Sequence, residues 1–524
     1  MTVIDTGSRE EGDLGESSAA KHIHGICLKT GPPRQVGVEL EWLVRDVRDP
    51  ALPVAAGRTA AAVAAFGAAG AGQQGGRDTG TGPALVPGPG DNNGESRVRP
   101  GLPTSSRPGV LPSGAALTCE PGGQLEISSL PAGSLAELVR ATSADLDAVR
   151  AALAACGLEL AGYGLDPLRP PRRVLDLPRY AAMEAFFDAG GPWGRQMMCG
   201  TASVQVCLDA GDDSDGPGGY RWRWRLVHAL GPVLVAAFAN SPLRDGQPTG
   251  WVSSRQQVWT RMDPGRTRPP RLDGDPRDAW ASYALDAQLM CVRDDGSGDW
   301  TVPAGLTLRD WVRGRWQRRP TADDLDYHLS TLFPPVRPRG HFELRMIDAQ
   351  PGDNGWIVPL AVCWALLSDA RAGQDALAAV TPLWGGGRPP GGGAWGAGGG
   401  GRGGRTRLPS QADWLSRAGS SVSTGGTVSA GGTVSAGSTV SAGDTVSTGD
   451  TVSAGSTVPW LRAARLGVAD PATGRASRDC FAAARAAMDR HGVPAGITAA
   501  VDAFIDRYVS QDRCPADDVL EDAK

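Results

Sequence analysis

GVELEW, residues 37–42, sets two carboxylates, Glu39 and Glu41, one residue apart in an otherwise apolar run of Val36, Val38, Leu40, Trp42, Leu43 and Val44. In a strand, alternate side chains share a face, so both carboxylates point one way and Val38, Leu40 and Trp42 the other. Two rises of roughly 3.3 Å separate the carboxylates by about 7 Å, and at an effective dielectric of about 20 their repulsion is about 2 kcal/mol. Something must offset that cost.

Three further segments repeat the pattern. In EPGGQLEIS (120–128), Gln124, Glu126 and Ser128 share a face opposite Leu125 and Ile127, with Glu120 just before the turn. In TASVQVCLD (201–209), Thr201, Ser203, Gln205, Cys207 and Asp209 oppose Ala202, Val204, Val206 and Leu208. In GHFELRMID (340–348), His341, Glu343 and Arg345 oppose Phe342, Leu344 and Met346. Each alone reads better as a half-exposed strand with polar residues toward water. Together they carry Glu and Gln rather than the Lys, Thr and Arg that commonly decorate such faces. One sheet face bearing Glu39, Glu41, Glu120, Glu126 and Glu343 would be strongly anionic. Hard divalent cations offset such repulsion, and Mg²⁺ takes oxygen ligands in octahedral geometry. Carboxylates about 7 Å apart on one strand suit adjacent ions better than a single chelate, which points to a multi-metal site of the kind that holds nucleotide phosphates.

Arginines accompany the acids. Arg345 shares the Glu343 face, and WVSSRQQVWTRMDPGRT (251–267) supplies Arg255, Arg261 and Arg266. Guanidinium forks bind carboxylates and phosphates bidentately. Taken singly, each arginine is better read as a surface or ion-pair residue. His22 and His24 lie in a polar approach to the first strand and read as incidental.

Composition excludes several chemistries. Lysine occurs only at Lys21, Lys29 and Lys524, so there is no Walker A loop and no Schiff-base lysine in a core. No GxSxG or HExxH motif occurs. A net charge of −5 gives no support to nucleic-acid binding. Nine scattered cysteines without a CxxC motif read as a reduced, cytoplasmic protein. The acidic start MTVIDTGSREEGDLGES is not a signal peptide, and the apolar runs near 230–239 and 357–367 are too short to span a bilayer, so no membrane association is expected.

Two stretches, 69–113 and 385–458, lack the large apolar side chains that offset ordering entropy. Within the second, 424–458 repeats TVSAGx with one valine per unit; a hexapeptide β-helix has this period, but one modest apolar residue per unit and no cap favour a disordered expansion. The adjoining Gly/Arg stretch could brush RNA, but the acidic balance and single Trp395 favour a solvated linker. Helical periodicity is expected at 55–68, at 134–157, across 221–241 with a bend at Pro232, after the fourth strand, and twice near the C-terminus.

GVELEWLV, EPGGQLEIS, CGTASVQVCLD, SSRQQVWTRMDPGRT and FELRMIDAQP, in this order, resemble the plant-type glutamate–cysteine ligase family, and in particular its actinobacterial branch, which makes γ-glutamylcysteine for ergothioneine biosynthesis. YGLDPLRPPRR, LPRYAAM and RYVSQDRCPADD are similar to that branch too. The resemblance covers roughly 30–68, 114–384 and 459–518; the N-terminal tail and the two inserts depart from it. It implies an α+β, glutamine-synthetase-like catalytic fold, a curved antiparallel sheet flanked by helices with ATP and two or more Mg²⁺ ions over its concave face. ATP would phosphorylate the γ-carboxylate of L-glutamate, and the amine of L-cysteine, or of another acceptor, would attack the γ-glutamyl phosphate. By motif, Glu39, Glu41, Glu120, Glu126, Gln205 and Glu343 match the metal positions, with Gln205 where some related ligases have histidine. Arg255 and Arg345 match positions that contact glutamate or the transferring phosphate, and Arg266, Trp259, Thr201 and Ser203 are expected among the substrate and ATP contacts. The expected plan is a disordered tail (1–29), a catalytic domain (30–384, with the insert 69–113), a linker (385–458) and a C-terminal helical part of the same domain (459–524). No obligate protein partner is evident. A scaffold built on a decayed ligase, with the repeats as the interacting part, is the reading from a different class, and the intact strand carboxylates oppose it.

Overall fold

The computed structural model describes residues 14–69, 109–384 except 295 and 297, and 459–524. The repeats, the Gly-rich stretch, residues 1–13 and most of the first insert lie outside those residues.

The run around GVELEW forms β1 (Val36–Asp46), the longest strand and the hub of an eight-stranded sheet. The others in that sheet are β2 (Gly109–Val110), β3 (Ala116–Cys119), β4 (Leu125–Ser128), β5 (Leu158–Ala161), β6 (Ser203–Asp209), β9 (Val336–Pro338) and β10 (His341–Asp348). A separate hairpin joins β7 (Leu243–Arg244) to β8 (Gln247–Pro248). The order is β2-β3-β4-β1-β6-β10-β9, with β5 pairing the second half of β1, and every pairing is antiparallel. With its helices, the described chain is an α+β protein.

Alternation decides the two faces. Val38, Leu40, Val204, Val206, Phe342 and Leu344 are buried to 2 % exposure or less. Helices 220–229, 231–237 and 357–368 cover this side: the Trp224 ring packs at a tilt against Phe342 with centroids 5.4 Å apart, and 231–237 and 357–368 pack on β10 and β6. The 357–368 helix is apolar on all sides because it is covered twice, helix 471–490 lying on its far side. Phe481 stacks on Phe504 and Phe238 packs at a tilt against both, tying residues 459–524 into the same core. Pro232 falls in the first turn of 231–237, where its missing N–H costs nothing, so the stretch 221–241 is a helix pair. Among the described residues no helix is long and apolar enough to cross a membrane.

Several expectations change. Within the expected tail, Glu16–Cys27 is a helix: Ala19, Ile23 and Cys27 recur every four residues and bury one stripe, and the helix lies on 276–286. His22 and His24 lie on that helix and face Asp326 and Asp278. The first insert ends earlier than 113, since Gly109–Val110 adds a strand to the sheet edge and Leu111 is buried. The third strand starts at Ser203, not Thr201. The fourth is interrupted, its register shifting between Leu344 and Ile347.

Candidate active site on the polar sheet face

Cross-strand register gathers the acids. Glu41 lies directly opposite Glu126 on β4, and Glu39 lies opposite Ser128 on β4 and Gln205 on β6. Glu343 lies opposite Cys207 on β6 and Arg337 on β9. Side chains directly opposite across an antiparallel pair share a face. Glu39, Glu41, Glu126, Gln205 and Glu343 therefore form one row crossing four strands, and Glu120 adjoins it from the β3–β4 turn.

Hydrogen bonds show how this row is held. Ser203 Oγ donates to Glu41 Oε2 at 2.7 Å, and Gln205 Nε2 donates to Glu41 Oε1 at 2.9 Å. Ser128 Oγ and Thr118 Oγ1 both donate to Glu126 Oε1, at 3.0 and 3.2 Å. Arg337 grips Glu343 from Nη2, at 2.7 Å to Oε1 and 3.0 Å to Oε2, and from Nε at 3.1 Å to Oε2. Arg345 Nη1 donates to Glu343 Oε1 and to Gln205 Oε1.

The acids divide into two groups by electrostatics. Burial, then the charges of Glu343 and Glu126, push the Glu39 carboxyl up to about 8. Burial raises Glu41 and Glu126, and lifts Glu120 well above the usual carboxylate range with Glu126 and Glu41 adding to it. Glu343 goes the other way: burial alone would raise it, but Arg337, Arg345 and Arg339 hold it well below that range. Burial thus raises four acids, with neighbouring carboxylates adding to it and arginines only partly offsetting it, while the fifth is an arginine anchor.

An all-oxygen, carboxylate-rich set suits Mg²⁺ and not a soft metal. Among the described residues no three Asp, Glu, His or Cys groups close into a ready-made cage. Glu39, Glu41, Glu120 and Glu126 are the residues that could hold Mg²⁺.

The arginines come from two elements. Arg255 is fully buried on helix Ser254–Met262, and its Nη2 donates to the Arg345 main-chain carbonyl at 2.8 Å. Arg255 Nε and Nη1, Arg345 Nε and Trp259 Nε1 are buried without a hydrogen-bond partner. The Trp259 ring lies 5.3 Å from the Arg255 guanidinium and 5.9 Å from that of Arg345. Burial costs Arg255, and Asp348 and Glu41 are the charges that keep it ionised. The region therefore presents buried unpaired donors beside a cluster of carboxyls whose pKa values are raised, an arrangement suited to aligning an anion between arginines and cations.

Two expected contacts lie elsewhere. Arg266 is fully buried, and its guanidinium is taken up by Thr331 O and Oγ1, Gln288 O and Asp263 Oδ2, so it braces the chain behind the site. Thr201 precedes β6, and its hydroxyl donates to Met197 O at 2.7 Å. Residue pattern also passed over Arg337 and Arg339, the latter 3.7 Å from Glu343 and 4.0 Å from Glu39. PPVRPRG has the two arginines at strand spacing, a weak signal that Pro338 between them obscured.

Residues 35–385 match the sequence model of glutamate-cysteine ligase family 2, a span that holds every candidate site residue. Over 280 residues the chain is 45 % identical to the glutamate–cysteine ligase EgtA of Mycolicibacterium smegmatis, covering 52 % of this chain and 64 % of that protein. It is 44 % identical over 281 residues to the enzyme of the same name from Mycobacterium tuberculosis, with the same coverage. The chloroplastic glutamate–cysteine ligase of Medicago truncatula is 33 % identical over 245 residues, 45 % of this chain and 47 % of that protein. The chain thus spans less than two thirds of the length of these curated relatives.

Proposed function

The chain belongs to glutamate-cysteine ligase family 2, and from that premise we propose that it joins the γ-carboxylate of L-glutamate to the amine of L-cysteine at the expense of ATP. The observation that carries this reading is the row of four mutually repelling carboxylates, Glu39, Glu41, Glu120 and Glu126, beside Arg255 and Arg345 with donors unspent. A site for acyl transfer through a side-chain nucleophile would need a poised base and nucleophile; one for phosphoryl transfer needs alignment and charge neutralisation.

The sheet would work as in a glutamine-synthetase-like fold, with ATP across the polar face. A γ-carboxylate oxygen of glutamate attacks the γ-phosphorus of ATP, ADP leaves, and an acyl phosphate forms. The cysteine amine then attacks the acyl carbon, losing a proton, and phosphate departs. Bound Mg²⁺ would neutralise phosphate charge and be held by Glu39, Glu41, Glu120 and Glu126. Arg255 and Arg345 direct their free donors at the anionic oxygens, and Trp259 beneath them keeps both guanidiniums in place and water away. Ser203 and Gln205 aim Glu41. Glu343 anchors Arg337 and Arg345, and would join the cation shell, as the resemblance implies, only when those guanidiniums turn to substrate anions. The product fits a role in ergothioneine biosynthesis, the context in which the actinobacterial branch acts.

The deciding measurement is ADP release with glutamate alone, with glutamate and cysteine, and with glutamate and other amines. Release that requires cysteine supports the reading. Turnover only with a different amine replaces the acceptor and keeps the carboxylate–amine ligase chemistry. No turnover with any amine, from folded protein with Mg²⁺, sinks it.

A further inference from the structure

Asp348 ends β10, after an alternation of His341, Glu343 and Arg345 on the polar face. Strict alternation would turn it to the apolar side with Phe342, Leu344 and Met346. The register shift between Leu344 and Ile347 adds one residue to β10, so Asp348 lies opposite Ser203, whose hydroxyl holds Glu41. A bulge of this kind re-aims the side chains beyond it.

The Asp348 carboxylate is 2 % exposed and takes all its partners from the loop and helix that carry Arg255. Oδ2 accepts from Asn240 N at 3.0 Å and Ser241 Oγ at 2.7 Å; Oδ1 accepts from Ser253 Oγ at 3.1 Å and faces Arg255 Nη1 at 3.8 Å. Ser241 Oγ in turn accepts from Arg255 N at 3.1 Å, and Ser253 is the N-cap of the Arg255 helix. The carboxylate has no room to retreat, since a Cβ on Gly164 would lie 2.3 Å from its Cγ. On the bulge itself, Arg255 Nη2 and Gln256 Nε2 donate to the Arg345 and Met346 carbonyls, at 2.8 and 2.9 Å. Loop, helix and β10 are thus sewn together by five hydrogen bonds and one ion pair, with Asp348 supplying the negative charge in ion-pair range of Arg255.

Resting on the ligase reading above, we propose that Asp348 is a positioning residue: it touches no reactant, but its charge and its bonds to Ser241 and Ser253 hold the buried Arg255 guanidinium by Nη1 so that Nε stays free for a substrate anion. Removing the charge at constant shape releases Arg255 to seek water or Glu41. The loss then belongs to Arg255 and vanishes where Arg255 is already disabled.

The test uses the full chain, with ADP release and calorimetric glutamate binding, for wild type, Asp348→Asn, Arg255→Lys and the double variant, each with its melting temperature. The expected result is a fall of roughly 30-fold or more in kcat/KM for glutamate in Asp348→Asn, and less than about threefold further loss when Asp348→Asn is added to Arg255→Lys. Should Asp348→Asn fail to fold, Ser241→Ala, which removes one bond to the carboxylate and one to the Arg255 amide, enters the same cycle with an expected fall of about 3- to 10-fold. Losses that multiply in the double variant, or a single variant with wild-type kcat/KM, overturn the positioning role and leave the ligase reading intact. A wild type that neither binds glutamate nor releases ADP overturns the ligase reading and this inference with it.

Discussion

Arg255 and Arg345, from segments of chain far apart, meet through one bond, Arg255 Nη2 to the Arg345 main-chain carbonyl at 2.8 Å. Each guanidinium keeps a buried donor unspent, and both lie over the ring of Trp259. The bond takes a carbonyl left outside the β6–β10 ladder by the bulge, so one arginine positions the other. Lysine at 255 would keep the charge and lose the planar fork that serves the carbonyl and a substrate anion at once. Arg255→Lys should therefore lower kcat by about 10²- to 10³-fold, the usual loss for a donor aimed at developing charge. Steady-state ADP release reads it, and a decrease below tenfold would remove Arg255 from the reaction.

Glu39, Glu41, Glu120 and Glu126 give the folded chain a reason to bind Mg²⁺ before any nucleotide arrives. A ligand that binds only the folded state stabilises it by about 2.7 kcal/mol at one hundred times its Kd. Millimolar MgCl₂ should raise the wild-type melting temperature, and Glu39→Gln or Glu126→Gln should blunt that rise while abolishing turnover. Equal magnesium shifts in wild type and both variants would take the cation away from these residues.

The parts of the site that alternation alone could find are those on uninterrupted strands. Glu39, Glu41 and Glu126 share a face because nothing breaks the period of two in β1 and β4, and Gln205 joins them by register. What escaped is what departs from that period. Asp348 changes face at the bulge, and no residue of FELRMID marks where the extra position falls. Arg337 sits in a three-residue strand whose neighbour Pro338 reads as loop. Arg266 looked available because a sequence does not show that Thr331 and Gln288 carbonyls surround it. Helix Glu16–Cys27 escaped because its buried stripe is small, Ala19, Ile23 and Cys27, within a polar surround.

Gly122 offers a test of how Glu120 is placed. It lies in the β3–β4 turn two residues after Glu120, and an added Cβ would sit 2.1 Å from the Cys199 carbonyl oxygen. Gly122→Ala must push the turn off helix Trp193–Gly200 and carry Glu120 with it. Overpacking of this kind costs about 1–3 kcal/mol, so the melting temperature and the turnover should fall together. Gly133, with nothing within 4 Å of its added Cβ, is the control, and Gly133→Ala should change neither. A Gly122→Ala protein as active as wild type would show that Glu120 does not depend on this turn.

His228, on helix Tyr220–Ala229, and His328, on helix Ala322–Leu329, make the fold sensitive to acid. Burial depresses His228 from 6.5 to about 4 and His328, with Arg266 adding to the effect, to about 3. One ring N–H of each donates to a main-chain carbonyl, Trp224 O or Ala284 O, and the other ring nitrogen has no partner, so neither ring can take a second proton without leaving a buried charge. The unfolded chain protonates both below about 6.5. Between that value and the depressed one the unfolded state binds more protons, so stability falls as pH falls. From pH 7 to pH 5 each histidine should cost about 2 kcal/mol, at 1.36 kcal/mol per pH unit once titration begins. Glu39 pulls the other way: a carboxyl raised to about 8 favours the folded state at low pH and loses that favour as pH rises through 8. The quantity to read is therefore the difference between wild type and His228→Leu, which keeps an apolar body in the same space and cancels the glutamate contribution. That difference, from denaturant melts with MgCl₂ at fixed concentration, should shift in favour of the variant by about 2 kcal/mol between pH 7 and pH 5. A difference independent of pH would mean that the His228 ring is protonated in the folded protein, and that the cavity around it admits water.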